Sequence, residues 1–373
     1  MKISITGDLV INKAYDLSLI SDELIAEFKS SDYSIVNLEA PVTASNIKIL
    51  KTGGHLKANK ESTKEILDSL NINLVTLANN HMFDYSEQGL NDTIKFCQEN
   101  NIDTVGAGNN LEEASRIYYI KAELGTIAVF NIAENEWASA KQEEAGAKGM
   151  DLIDDLENIK KAKQKSDLLF VIVHGGHEYY NLPSPRMQKQ YRFYVDQGAD
   201  LVVSHHTHCI SGMEIYKDKP IYYSLGNFLF TKASKHKDWY KGIVLEVEVK
   251  EDLSLKTKPV FIQQSEENHE LKFIKGEDLI RIQNRFETYS KIISSKTELL
   301  AEWKSYVEDK TLIYSYFWLS LGNINTKVLK GLYMKIGKIL LSKKTAALYL
   351  NLMRCESHLD LSKDVLKNRI GKS

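Results

Sequence analysis

Twice between residues 168 and 208 the chain runs an apolar strand into histidine. Residues 168–173 (LLFVIV) are wholly apolar and lead into His174; residues 199–204 (ADLVVS), apolar but for Asp200 and Ser204, lead into His205, His206 and His208. A strand that lacks polar alternation has to be covered on both faces, the condition of a parallel sheet with helices packed on it. Residues 186–198 between the two runs carry a helical pattern, so the segment reads as strand–helix–strand and the chain as α/β.

The histidines need an explanation of their own. One histidine beside a core strand is more often a packed polar residue than a ligand, but here three of the chain's ten fall within four positions. Imidazole is the commonest metal-ligand side chain, and an H-x-H pair just past a strand aims two rings into one crevice at the carboxyl edge of a sheet. Other predicted strands end in the same kind of chemistry: 3–6 at Gly7-Asp8, 34–38 at Glu39 before Pro41, 73–77 at Ala78-Asn79-Asn80-His81 with Asp84 beyond, and 168–173 at His174-Gly175-Gly176-His177-Glu178. Asp8 alone would be a turn or cap residue; at the same edge as the rest, it joins a set. Helices are expected at 15–28, 60–70, 91–100 and 151–165, and a further strand at 126–132. Gly106-Ala107-Gly108 reads as a turn and lacks the third glycine of a nucleotide-binding loop. Residues 210–216 and 220–225 read as a hairpin around Lys217-Asp218-Lys219, ended by Gly226-Asn227, and residues 242–249 and 253–262 as a closing pair of edge strands.

Length and charge set the class. At 373 residues, 43% hydrophobic and 26% charged, the chain has the make-up of an ordinary globular protein of about two domains. The net charge of -2, without long blocks of one sign, gives no reason to expect nucleic acid as a partner. Met1-Lys2-Ile3 enters a strand at once with no signal-peptide pattern. Cys97, Cys209 and Cys355 are odd in number and far apart, which argues against a disulfide framework and for a reducing, cytoplasmic setting. No apolar run reaches the roughly 18–20 residues of a spanning helix. Domain boundaries are expected at 1–265 for the site-bearing domain and 270–373 for a C-terminal helical region, with helices at 277–307, 311–321 and 328–354. From residue 311 on there are eleven Lys or Arg against three Asp or Glu. On the 328–354 helix, Val328, Leu329, Leu332, Ile336, Ile339 and Leu340 share a face opposite Lys327, Lys330, Lys335 and Lys338. Such a helix either packs on the first domain with its lysines in water or docks peripherally on an anionic membrane surface, here the inner face.

Asp8, Glu39, Asn80, His174, His206 and His208 make the kind of ligand set a two-metal hydrolase needs, with Glu39 the natural bridge between two cations about 3.5–4 Å apart. The segments GDLVIN, IVNLEAPVT, LANNHMFDYSEQGL, VHGGHEYY, GADLVVSHHTHCISGMEIY and IYYSLGNFLF resemble, in order, the motifs of the CapA family of capsule or poly-γ-glutamate synthesis proteins, which have a calcineurin-like metallophosphoesterase fold. The resemblance covers residues 1–230. It implies a four-layer α/β sandwich followed by the C-terminal helical region, and two divalent metal ions (Mn, Fe or Zn) on those six residues. It further implies His81 as proton donor to the leaving oxygen, with Asp84 and Glu178 orienting imidazoles. Lys57, in the family-like segment His55-Leu56-Lys57-Ala58, is expected to contact a substrate anion, and His205 and Asn227 to contact substrate. The chain departs from the broader phosphoesterase pattern at Val10, where a histidine is usual, at Glu39, where aspartate is usual, and at Gly175, where the family commonly has tryptophan.

Three functions fit this reading. One is a metal-dependent hydrolase, a phosphoesterase acting on a phosphorylated or anionic polymer precursor in surface-polymer biosynthesis. Another is a non-catalytic component that binds polymer or precursor, and the third a metal-dependent amide hydrolase of a γ-glutamyl polymer.

Overall fold

The computed structural model describes residues 1–51 and 53–318, with side chains placed as far as residue 309. In chain order the first elements are β1 (Lys2–Val10), α1 (Asp22–Lys29), β2 (Tyr33–Leu38), α2 (Lys60–Ser69), β3 (Leu74–Thr76), α3 (Ser86–Glu99), β4 (Asp103–Val105), β5 (Ala107–Gly108) and α4 (Leu111–Ala114). Then come β6 (Tyr118–Ala122), β7 (Gly125–Ala133), β8 (Gly146–Ala147), α5 (Leu152–Gln164), β9 (Leu168–His174), α6 (Pro185–Asp196) and β10 (Leu201–His205). The remainder are β11 (Met213–Tyr216), β12 (Lys219–Tyr222), β13 (Asn227–Phe230), β14 (Lys241–Val249), β15 (Leu255–Gln264), β16 (Leu271–Phe273), α7 (Gly276–Ser294) and α8 (Lys296–Trp318).

Helix starts follow local chemistry. Ser21, Asn59, Asp151 and Ser184 accept backbone N–H bonds at the N-termini of α1, α2, α5 and α6, and Pro185 opens α6, where a missing N–H costs nothing. Ser21 also divides the helix expected over 15–28: residues 17–19 form only a 3₁₀ turn, and α1 begins at Asp22.

The strands form two large sheets. The first runs β16-β15-β14-β1-β2-β3-β4 with β13 also paired to β1; the second runs β11-β12-β10-β9-β7-β6. Strand periodicity divides the apolar residues between three cores. Ile3, Ile5, Ile35 and Leu74 of the first sheet meet Val129, Phe170, Ile172, Leu201 and Val203 of the second. Val36, Leu38 and Val75 turn the other way, onto Leu24, Phe28, Ile66, Leu67, Leu90 and Phe96 of α1, α2 and α3. Leu169, Val171, Val173 and Val202 turn onto Ile159, Met187, Tyr191 and Tyr194 of α5 and α6. The result is the four-layer α/β/β/α sandwich, and it explains why β9 reads as an unbroken apolar run. Truncating Phe170, fully buried between the sheets, would cost about 3–5 kcal/mol.

Several elements differ from the sequence reading. β1 continues through Gly7 to Val10, so Asp8 lies within the strand and not beyond it. Gly226 does not close the hairpin sheet: Asn227–Phe230 crosses to the first sheet as β13 and pairs parallel with Asp8–Val10. Gly7 permits the crossing, because a Cβ there would lie 1.8 Å from the Gly226 carbonyl oxygen. β14 is not an edge strand. It lies between β1 and β15, and Ile243, Val244, Leu245 and Val247 are buried on both its faces.

By contact the chain divides into compact units Met1–Leu299 and Leu300–Ser373. α7, which follows the boundary expected at 265–270, puts Ile282 and Phe286 into the core between the sheets and Ile293 into the α5–α6 core, which ties it to the first unit. The helix expected over 277–307 is interrupted at Ser295, where the backbone is extended. In the second unit α8 continues to Trp318, and the Trp303 and Tyr306 rings lie 5.6 Å apart. The helix expected at 328–354, its lysine face and Cys355 lie outside the described residues. Among those described, no helix is long and apolar enough to cross a membrane, and Cys97 and Cys209 are free and buried.

Candidate metal centre

The strands of each sheet that carry the candidate ligands are parallel, so their carboxyl ends collect at one edge, and the two edges meet. Asp8, Glu39 and Asn80 come from β1 and the segments after β2 and β3; His174, His206 and His208 come from β9 and the loop after β10. Asp8 Oδ2 accepts from the His206 backbone N–H at 3.2 Å, a direct bond from one sheet's edge to the other's. His206 (φ 89°) and His208 (φ 54°) both have left-handed backbones, a conformation that non-glycine residues keep only where the surroundings impose it. The bend turns both rings inward.

Two groups of ligand atoms result, each within a 4.8 Å span: Glu39, His174 and His206, and Asp8, Glu39 and His208. Glu39 belongs to both. Asn80 Oδ1 lies 3.0 Å from His174 Nε2, beside the first group, and the same nitrogen lies 3.1 Å from His206 Nδ1 and 3.5 Å from Glu39 Oε1. Lone pairs outnumber protons here. Both Glu39 oxygens are buried without a hydrogen-bond partner, an expensive condition for a carboxylate. Val10, where a further histidine was expected, is buried among the α1–α3 side chains and offers no ligand atom.

Electrostatics make the same point. Burial, with the nearby Asp8 carboxylate, raises the Glu39 pKa well above the ordinary range. Burial alone would also raise Asp8, but its bond to His208 and the charges of His174 and His208 hold it below its ordinary value. His174 is pushed well down by burial and by His206, and His206 down by burial and by His208. His208 goes the other way: burial opposes its charge, but Glu39 and Asp8 raise it to about 9. The protein groups alone are thus in conflict: burial and Asp8 disfavour charge on Glu39, while Glu39 and Asp8 favour charge on His208 against its burial. Cations would relieve that conflict, so the residues fit metal binding at these two groups.

Residues around the ligands fix their orientation. Asn37 Nδ2 donates to Asp8 Oδ1 at 2.7 Å and lies 3.3 Å from His174 Nδ1. Asn227 Oδ1 accepts from His208 Nδ1 at 2.9 Å, which leaves Nε2 for the cluster, and Asn227 Nδ2 donates to the Trp239 carbonyl. With its amide so engaged and 2% exposed, Asn227 orients His208. His205, expected to contact substrate, is 1% exposed in β10, and burial brings its pKa down to about 4. Lys57, expected to contact a substrate anion, bonds to the Ser45 carbonyl and Asn46 and lies over the Tyr85 ring, so it ties its own loop together.

Beside the cluster, His81 Nδ1 donates to Asp84 Oδ2 at 2.7 Å. Asp84 is fully buried, also accepts from Leu56 N at 2.7 Å, and forms an ion pair with Lys51, whose Nζ lies 3.2 Å from His81 Nδ1. Burial lowers the His81 pKa; Asp84 opposes the shift and Lys51 adds to it. Glu178 is exposed and makes no hydrogen bond among the described residues, so it orients no imidazole by contact. Its charge nonetheless opposes the lowering of His206 and adds to the rise of His208. Sequence reasoning missed Asn37 and Lys51. Asn37 carried a signal, being a polar residue inside an apolar strand two positions before Glu39. Lys51 carried none.

Comparison with known proteins adds a lineage. Residues 2–232 match the family model described as bacterial capsule synthesis protein PGA_cap. A PGA biosynthesis protein CapA from Bacillus subtilis (strain 168) is 39% identical over 210 residues, 55% of each chain. A capsule biosynthesis protein CapA from Bacillus anthracis is 34% identical over 249 residues, 62% of this chain and 60% of that one. The match thus spans between half and two thirds of these relatives' length. Among solved structures, a novel phosphatase from Mycoplasma pneumoniae aligns with a TM-score of 0.47 at 16% identity, covering 70% of this chain and 93% of that one. A hypothetical protein from Thermus thermophilus aligns at 0.46 and 12%, covering 71% and 100%.

Proposed function

Since the chain belongs to the bacterial capsule synthesis protein family PGA_cap, we propose that it is a metal-dependent hydrolase, a phosphoesterase acting on an anionic precursor or polymer in surface-polymer biosynthesis. The observation that carries the reading is Glu39: a fully buried carboxylate, unpartnered at both oxygens, shared by two ligand groups. Asp8 and His208 would hold one divalent ion with it, and His174, His206 and Asn80 the other. Bound there, such ions supply Lewis acidity toward an ester oxygen and make water acidic enough to react at neutral pH.

The chain's own groups do the rest. His81 stands next in sequence to Asn80, with its Nδ1 proton fixed by Asp84 and Nε2 left to face the site. It is the candidate donor of a proton to the leaving oxygen. An anionic substrate would add negative charge beside His81 and draw the imidazole back toward its protonated form, against the lowering by burial. Buried Asp84 holds that ring, and Asn37 and Asn227 hold the ligands before substrate arrives.

Elemental analysis of protein purified without added metal or chelator, paired with hydrolysis of p-nitrophenyl phosphate and γ-glutamyl-p-nitroanilide, tests the proposal. Close to two metal equivalents and turnover of the phosphate ester are expected, with His206→Ala losing both. An inert, metal-free wild type would sink the proposal and leave a binding component of a synthesis complex; turnover of the anilide alone would make the protein an amide hydrolase.

A further inference from the structure

An aromatic and basic rim lies beside the cluster and supplies none of its candidate ligand atoms. Tyr179 is 38% exposed, has a left-handed backbone (φ 63°) and donates its N–H at 2.8 Å to the carbonyl of Thr207, between His206 and His208. Its ring stacks on exposed His236 at 3.9 Å with planes 10° apart, and stands 6.2 Å from the His208 ring. Behind it Trp239 packs on His208 at 4.8 Å and on Phe230 at 4.3 Å. A strained backbone that holds a large ring out at the mouth of a polar cluster is a feature to be explained by function.

The loop that supplies His236 is itself built onto the centre. Trp239 Nε1 donates to the Lys232 carbonyl at 3.0 Å, the Tyr240 hydroxyl bonds both the N–H and the carbonyl of Ser234, and Asn227, which orients His208, donates to the Trp239 carbonyl. Of the charges on this loop, Lys237 is paired with Glu266 and Asp238 with Arg285. Lys232 and Lys235 are exposed and have no ion pair among the described residues.

We propose that this rim is a second subsite, which takes substrates carrying two anionic groups. One group lies at the carboxylate–imidazole cluster, the other at Lys232 and Lys235, and the connecting ring or chain rests on the Tyr179–His236 stack. The inference depends on the reading that the cluster receives the first anionic group, but it does not require that the bond there be cut. Ring faces stack on aromatic side chains, and ammonium groups in water attract a distal phosphate or carboxylate weakly and in a salt-dependent way.

The test is equilibrium binding by calorimetry to the metal-loaded full chain, with inorganic phosphate, glucose 6-phosphate and glucose 1,6-bisphosphate as probes. The bisphosphate is expected to bind about tenfold more tightly than the monophosphate at low salt. Lys232→Gln with Lys235→Gln should erase that advantage and leave monophosphate binding unchanged. Tyr179→Ala should weaken both sugar phosphates relative to inorganic phosphate. Lys95→Gln with Lys121→Gln, which removes the same charge elsewhere, should change nothing. Equal binding of the two sugar phosphates, or an equal loss in the control variant, overturns the proposal. A preference that persists in a protein without turnover would sink only the hydrolase reading.

Discussion

Replacing Lys51 by Met removes one partner of an ion pair whose side chains are 3% and 0% exposed. Breaking such a pair from one side typically costs about 3–5 kcal/mol, because the other charge stays buried. Here Asp84 keeps the Leu56 N–H and His81 Nδ1, so the expected loss is smaller, about 2–3 kcal/mol. For a unit of this size that is a fall of about 4–6 °C in melting temperature. Asp84→Asn should cost less, about 1–2 kcal/mol, since Lys51 comes from a loop and can turn its ammonium out to water. The double variant buries no charge and should lose less than the sum, with a coupling of about 2 kcal/mol. Urea unfolding of the four proteins, with the metal-loaded form measured separately, provides the cycle. Additive losses, or a Lys51→Met loss under about 0.5 kcal/mol, would show that the residue 45–55 loop is not fastened to the site through this pair.

Three further outcomes follow from the geometry. His81→Ala should keep metal content and slow hydrolysis of an alkyl phosphate by roughly 10²- to 10⁴-fold, with a much smaller effect on p-nitrophenyl phosphate, whose leaving group needs no proton; parallel rates and elemental analysis check it, and equal losses on both esters would rule out proton donation. Chelation should lower the melting temperature, and Mn²⁺ at about 100 times its Kd should restore about 2.7 kcal/mol in the wild type but not in Glu39→Ala; the measurement is calorimetric unfolding against metal concentration. Burial alone would raise Asp238, but its bonds to Arg285 at 2.7 and 2.9 Å hold its pKa below the ordinary value. A depressed carboxyl stabilises the fold above its unfolded pKa and stops doing so as pH falls through the folded one, so Asp238→Asn should cost about 1 kcal/mol at pH 7 and progressively less below about pH 4.

The candidate ligand positions stand out in the sequence because they interrupt patterns: a carboxylate or imidazole directly after an apolar strand is conspicuous, and parallel strands bring such ends together. The supporting groups followed different rules. Asn227 was expected from the family resemblance to contact substrate, but the strand after Gly226 switches sheets and turns that amide onto His208. An apolar run such as Phe228–Leu229–Phe230 suits either sheet equally, and the close Gly7–Gly226 approach that lets it join β1 leaves no mark in its pattern. Lys57 and Lys51 lie six residues apart in one irregular loop, and no periodicity tells which of the two reaches Asp84. The break at Ser295 was equally hidden, since apolar residues continue at helical spacing on both sides of it.

The placement of β1 has a consequence for how the chain comes into being. One edge of β1 is shared by two later strands, β14 along Lys2–Thr6 and β13 along Asp8–Val10. Once synthesised, β1 therefore waits for residues 227–249, on the order of tens of seconds at roughly 5–20 residues per second. During that interval its apolar residues and unpaired backbone are exposed, a state prone to mispairing with other nascent chains. A fragment cut at residue 232, where the family match ends, would keep all six candidate ligands and still lack the strand that covers Lys2–Thr6. Synthesis slowed just before β14 would prolong this exposure and lower the soluble yield.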